Sequence, residues 1–461
     1  MIKLYTVELC RKDYQMLKDR EFFSLLIKVA TPIALQNLLM SFLNMVDTVM
    51  IGSLGDLSVA AVGLGNQVFF ILSLVVFGIA SGTSVFVAQF FGKRDYDSLK
   101  KPIAYSVVMC VVVSVVFNVL ALLFPENCLA LFTNDPEVIA LGADYLKIAA
   151  FCYPMFGISF CFAVALRSTE KAHVPLIITA AALVVNTVLN YCLIFGKLGF
   201  APLGVKGAAI ATLVARFTEV IVFIVYIYAK KNIVALKPKD FKLDKHFLRK
   251  YILKVLPVIG NETMWGLGIS VYNAVFGRIG REVVAANQIV KNIEQILTSL
   301  CIGVGSAAAV MVGKKIGEGD KTGTWIYSKR LVLISTGLGA VVGVVLILLS
   351  NVVLMPYKIS PLAMTYAWQF LLVISIAMPF KMFNYVNIVG VLRGGGDTLY
   401  CFVLDMCAVW FIGVPAVYLT GLWLGLPVIF VIIALNSEEV LKGIVGFKRY
   451  KSKKWIHDLV N

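Results

Sequence analysis

Asp47 lies eleven residues after Gln36 and three after Asn44, so the three side chains recur close to whole helical turns and share one face. The residues around them are apolar. An ionisable group at the centre of a membrane helix costs roughly 2.5–3.5 kcal/mol, and a carboxylate kept at that cost takes a proton or holds a cation. A packing hydrogen bond is the plainer use of such a residue, but an Asn would serve it without the charge. Asn186 and Asn190 are four apart and stack on one helix face, which suits interhelical packing as well as ion binding.

Further along, Glu262 follows Pro257 by five residues, and Asn273 falls three turns later on the same face. Asn287, Lys291, Glu294 and Thr298 form a polar stripe at spacings of four, three and four. Within it Lys291 and Glu294 are close enough to pair, and Arg216 is expected to neutralise Glu219 in the same way. Asp405 has no partner on its own helix, which leaves Lys381 as its candidate cation. Other motifs carry less. The glycine run RGGGDT at 393–398 invites a phosphate-loop reading, but it lacks G-x-x-x-x-G-K-[ST] and no strand precedes it. Asn261-Glu262-Thr263 matches a glycosylation sequon inside an apolar span, where it has no meaning. His173, His246 and His457 sit near basic loops, and neither HExxH nor GxSxG occurs, so no enzyme is expected. The nine Cys are scattered without metal spacing, Cys128 alone is expected to face outward, and no disulfide framework follows.

These residues need lipid around them. The 461-residue chain is 60% hydrophobic and only 15% charged, with a mean hydropathy of +0.88. A soluble domain carries about 25% charge and cannot hide this much apolar surface. Apolar stretches near 25–51, 59–91, 102–124, 139–165, 174–195, 206–229, 251–276, 283–312, 330–354, 362–390, 398–420 and 422–446 predict twelve transmembrane helices in an all-α membrane protein. The second, eighth and tenth are too long for a straight crossing and must tilt or protrude. The formal charge of +16 is concentrated in alternate loops: the N-terminus with Lys3, Arg11, Lys12, Lys18 and Arg20, then 92–101, 168–173, 230–250, 313–321, 393–398 and the C-terminal KRYKSKK. The opposite loops carry Lys197, Lys206, Arg278, Arg281 and Lys358, and 125–137 is acidic. The positive-inside rule then places both termini in the cytoplasm of a multi-pass plasma-membrane protein, and the basic charge has no nucleic-acid partner to explain.

A gap-free shift of 225 positions lays Pro32 on Pro257, Gly52 on Gly277, Gly55 on Gly280, Gly78 on Gly303, Ser81 on Ser306, Gly92 on Gly317 and Asp95 on Asp320. Gly and Pro punctuate backbone geometry, so their recurrence at one offset marks a duplication. Each half holds an even number of spans, which makes the halves parallel repeats about the membrane normal, 1–236 and 237–461, joined through the basic 230–250 segment. Two pseudo-symmetric six-helix lobes suit alternating access.

The same residues carry a family likeness. Pro32 with Asp47, GSLG at 52–55, AQFFGKRD at 88–95, LRS at 166–168, Asn186-x-x-x-Asn190, GAAIAT at 207–212 and LRGGGDT at 392–398 resemble the multidrug and toxic compound extrusion (MATE) family over nearly the whole chain. The resemblance implies export of organic, often cationic, compounds by antiport with protons or sodium, by a chain expected to act as a monomer without a resident cofactor. It makes Asp47 the proton- or cation-binding carboxylate, with sodium as the alternative ligand, and adds Thr212 and Tyr145 to its surroundings and Pro32 as a helix kink. Relatives often carry Asp where this chain has Asn190, so one carboxylate is missing. Glu262, Glu294 and Asp405 are the second-lobe candidates. A flippase for lipid-linked saccharides, of related two-lobe architecture, is the alternative and would want a strongly cationic cavity; a channel or intramembrane enzyme fits less well.

Overall fold

The computed structural model describes residues 19–357 and 359–460; Lys3, Cys10, Arg11, Lys12, Lys18 and Lys358 lie outside the described residues. Among these the chain is helical without a strand. Twelve membrane-length helices follow in order: α1 (Arg20–Gly52), α2 (Asp56–Lys93), α3 (Lys100–Leu123), α4 (Pro136–Ala149 continued at 50° by Cys152–Ser168), α5 (His173–Phe195), α6 (Gly204–Ala229), α7 (Lys245–Ile279), α8 (Arg281–Gly317), α9 (Lys321–Leu354), α10 (Pro361–Leu392), α11 (Thr398–Trp423) and α12 (Val428–Lys451). Nine are long and apolar enough to cross a membrane by themselves, or ten with bent α4 counted as one. α7 and α12 are as long but less apolar because each carries charge inside the bundle.

The 225-residue repeat reappears as local geometry. Asp19 caps α1 by accepting from the Phe22 amide at 3.1 Å, and Asp244 caps α7 by accepting from that of Phe247 at 3.1 Å. Beside Asp19 the Arg330 guanidinium holds that carboxyl below the usual carboxylate range. Gly55, with φ +101°, starts α2 just as Gly280 starts α8. The helix continues through Pro32 in α1 and through Pro257 in α7. On α3 the exposed Val108, Val112, Val115 and Val119 recur at helical spacing, an apolar stripe suited to a lipid-facing surface.

The repeat also builds the seam between the lobes. α2 packs along α7, α8 along α1, and α2 crosses α8. A Cβ on Gly78 would strike the backbone of Ile259, and one on Gly303 would strike Ala30 and Ala34; positions 34 and 259 are themselves 225 apart. Gly92 lies against the carbonyl of Lys314 and Gly317 against that of Gln89, again a symmetric set. The glycines that reveal the duplication are therefore the points where its two copies touch, which is the small-residue packing membrane helices use in place of a hydrophobic driving force.

These contacts lie at the end of the bundle that carries the basic loops. There the chain after α12 folds back over the seam. Trp455 is fully buried and its Nε1 donates to the Tyr450 carbonyl at 3.0 Å. The His457 amide donates to Gly395 at 2.8 Å, while Gln89, across the seam, donates to the His457 carbonyl at 3.0 Å and accepts from the Leu459 amide at 2.8 Å. The RGGGDT segment is thus packed beneath the tail rather than open: residues 391–398 are all buried. Asp397 holds Arg449 at 2.7 Å; burial opposes its charge, but bonds from His457 and Arg449 outweigh it and keep the carboxyl below its ordinary range. On the other side of the seam Lys314 pairs with Glu170, which also meets Lys28 at 3.6 Å.

Cys128 is partly exposed in the short helix Pro125–Ala130 between α3 and α4, and Cys407 is exposed on α11 within a span. Length in excess of one crossing also extends to α1, α7 and α9, since these helices continue into the packed basic end.

Candidate functional site

A cavity of about 520 Å³ sits inside the first lobe, toward the end away from the tail. It is of a size that takes a drug-like molecule. α1 brings Asp47 to it, α4 brings Tyr145, α5 brings Asn186, and α6 brings Thr212. Asn190 Nδ2 donates to Asp47 Oδ1 at 2.7 Å and is shared with Asn186 Oδ1 at 3.3 Å, and Asn186 Nδ2 reaches Thr212 Oγ1 at 3.3 Å. Asp47 is half-buried, whereas Asn186 and Asn190 are buried. Among the described residues Asn190 Oδ1 is buried without a hydrogen-bond partner. Carboxylate, amide and hydroxyl oxygens gathered in this way are the ligand types that hard cations take. Tyr145 lines the same cavity, but its hydroxyl donates to Asn66 Oδ1 at 3.0 Å, a residue of α2 that spacing alone did not single out.

Below this group a second polar ladder descends. Arg216 Nη1 donates to Glu219 Oε2 at 2.8 Å, as the i,i+3 spacing predicts. Thr179 donates to the other Glu219 oxygen at 2.9 Å and accepts from Gln36 Nε2 at 2.8 Å, and Gln36 Oε1 accepts from Arg167. Gln36 and Asp47 do share a face of α1: each meets the α5 residue 143 positions on, Thr179 and Asn190, because the two helices run parallel in register.

The second lobe holds its inner charge in three groups. Glu262 is paired with the buried Arg393 at 2.8 Å, and the same Nη1 reaches Ser81 of the first lobe at 3.1 Å. Glu294 is bound by Lys381 at 2.6 Å. Both expected pairings fail here: Lys291 turns to Asn273 Oδ1 at 2.6 Å instead of Glu294, and Lys381 serves Glu294 instead of Asp405. Each lysine has the length to choose a partner on a neighbouring helix, and a carboxylate oriented by tertiary packing wins over one on its own helix. Asp405 lies 3.8 Å from Lys442 of α12, which also meets Glu438 at 3.4 Å and Glu439 at 3.9 Å. Tyr272 donates to Glu438 at 2.7 Å and Asn384 to Glu439 at 2.7 Å. By ion pairs, Glu294 belongs with Lys381, Asp405 with the Lys442 cluster and Glu262 with Arg393. Sequence reasoning passed over Glu438, Glu439, Lys442 and Arg393. The signal was present as E-E-x-x-K inside an apolar span, a spacing that lets one lysine meet both acids.

Twelve membrane helices in two matched lobes, with a carboxylate-bearing cavity in one of them, define a two-lobe membrane carrier. The MatE family profile matches residues 32–192 and again 258–419, one match for each copy of the repeat, and the chain belongs to this family. It is 25% identical over 434 residues to the probable multidrug resistance protein NorM of Thermotoga maritima, covering 93% of this chain and 92% of that one. Over 431 residues it is 23% identical to the uncharacterized transporter YisQ of Bacillus subtilis, covering 94% of each. Among solved structures, a MATE protein crystallised with MaL6 superposes with a TM-score of 0.85 at 19% identity, covering 93% of this chain and 96% of that one. A Pyrococcus furiosus MOP superfamily transporter, described by the reverse polarity of its binding pocket, superposes with a TM-score of 0.84 at 20% identity and covers 93% and 95%.

Proposed function

We propose that this protein is a secondary active exporter of organic, often cationic, compounds, driven by protons or sodium moving the other way. The observation that carries the reading is the first-lobe cavity, in which Asp47 stands among amides and hydroxyls with Phe69, Phe70 and Tyr153 on its walls. Aromatic faces attract organic cations, and one carboxylate gives a site that cation and coupling ion must share in turn. The multidrug-resistance names of relatives such as those in Thermotoga maritima and Vibrio vulnificus support it. On this reading the coupling site is Asp47 with Asn186, Asn190, Thr212 and Tyr145. Glu262, Glu294 and Asp405 form a second-lobe reserve, Pro32 is the point at which α1 would kink, and the lobes divide near residue 236. The test is efflux of a cationic dye from sealed vesicles under a pH gradient and, separately, a sodium gradient. Accumulated dye should leave under one of them; dye loss under neither, or equal transport of an anionic dye, would overturn the proposal.

The chain acts as a monomer in the cell membrane with both termini inside. A cysteine placed at Thr133 is expected to react with an impermeant maleimide in intact cells, and one at Lys239 only after lysis. Labelling of the Lys239 position in intact cells reverses the orientation.

A further inference from the structure

Arg216 is a cation placed where a cation-binding site would be expected to avoid one. It stands one turn after Thr212 on α6, and both line the cavity with Asp47. Its side chain is 19% exposed toward that space, while its partner Glu219 is 5% exposed. Only Nη1 is engaged, by Glu219; among the described residues Nε and Nη2 have no hydrogen-bond partner. The guanidinium is otherwise steadied by the Phe156 ring, 5.7 Å from its centroid. Glu219 for its part is held from both sides, by Arg216 and by the Thr179–Gln36–Arg167 ladder, so it keeps its place when the guanidinium leaves. One cation, held by a single hydrogen bond, therefore shares the cavity with two carboxylates.

We propose that Arg216 is a resident competitor for Asp47: it pairs with Glu219 when Asp47 carries a proton, a sodium ion or a cationic substrate, and turns to Asp47 when that load departs. This rests on Asp47 being the coupling carboxylate and adds what empties it. An ionised Asp47 whose one neutral donor is Asn190 would hold a cation firmly, and an internal guanidinium lowers that affinity without crossing the membrane. The ionisable groups lining the cavity are Asp47, Tyr145, Cys152, Tyr153, Arg216 and Glu219; α2 and α5 face it with the neutral Asn66, Asn186 and Thr179, and across the seam α8 presents uncharged Gln295 to Ser41. Among the described residues no other cation lines that space.

Three variants separate exchange from simple neutralisation. Glu219→Gln removes the resting place, so Arg216 stays on Asp47 and half-maximal activation should need about tenfold more of the coupling cation, the lower end of the effect of a guanidinium on a neighbouring carboxylate. Arg216→Gln/Glu219→Gln removes competitor and resting place together, and should need about tenfold less. A pair that only neutralises itself would leave the double variant at the wild-type midpoint. Arg216→Lys keeps a competing charge and should stay near wild type. The readout is cationic-dye efflux from proteoliposomes against external pH without sodium, and against sodium at fixed pH, which also distinguishes the two coupling ions. Dye binding by purified protein across the same pH and sodium ranges gives the midpoints for any variant that does not turn over. An unmoved midpoint in the double variant overturns the exchange, whatever Glu219→Gln does alone. Asp47→Asn, run alongside, tests the coupling site itself: gradient-driven efflux surviving there would remove the premise instead.

Discussion

Gradient-driven efflux is expected to fall to the level of protein-free vesicles when Asp47 becomes Asn, with the protein still folded and inserted. The substitution is nearly isosteric and keeps an oxygen where Asn190 Nδ2 donates at 2.7 Å, so the local hydrogen bond survives. What goes is the charge. A neutral amide neither takes up a proton nor attracts a cation strongly, and coupling needs a group whose affinity for both ion and substrate depends on charge. Removing a buried charge also removes its desolvation cost, so thermal stability should hold or rise. The measurement is dye efflux under an imposed gradient beside a melting curve in detergent. Wild-type efflux in the variant would move the coupling role to the second lobe, to Glu262 or Asp405.

The second large effect is expected on stability. Lys442 is 5% exposed and is the shared cation of Glu438, Glu439 and Asp405. Lys442→Met leaves three carboxylates facing one another inside the bundle, and the loss of one partner from a buried ionic group costs about 3–5 kcal/mol. The apparent melting temperature should drop by several degrees, read by size-exclusion after heating. Lys442→Arg should retain most of it, and adding Glu438→Gln to Lys442→Met should recover part, because each change restores charge balance. A Lys442→Met protein as stable as wild type would mean that the acids are already protonated and the cluster is not ionic.

Spacing carried the reading a long way where the physics is local. The spans follow from apolar length, the repeat from Gly and Pro at one offset, and the pairing of Arg216 with Glu219 from helical geometry. Asp47 and Asn190 were both legible as polar residues without an apolar reason to exist, although their contact across α1 and α5 was not. The failures share a cause. Lys381, Lys291 and Asp405 each face several helices, and which neighbour a long side chain chooses depends on interhelical rotation that no single helix encodes. Arg393 read as a loop residue because glycines follow it, yet it turns to Glu262 and Ser81 while the tail residues Trp455 and Leu459 cover Gly395 and Gly396. The charges of α12 were absorbed into a hydropathy average.

The tail itself bears on how the two lobes part. It leaves the second lobe at α12, rests Trp455 under its own lobe, and hands two backbone groups of residues 457 and 459 to Gln89 in the other. Across the seam the matching position is Lys314, bound to Glu170 by a side-chain ion pair. A pair of side chains can separate and re-form anywhere along its reach, but a docked length of backbone has a fixed contour and must either detach or travel with one partner. The duplicated architecture is therefore fastened unevenly: one edge behaves as a clasp and the other as a tether, and a rocking motion drawn as symmetric would have to begin at the clasp.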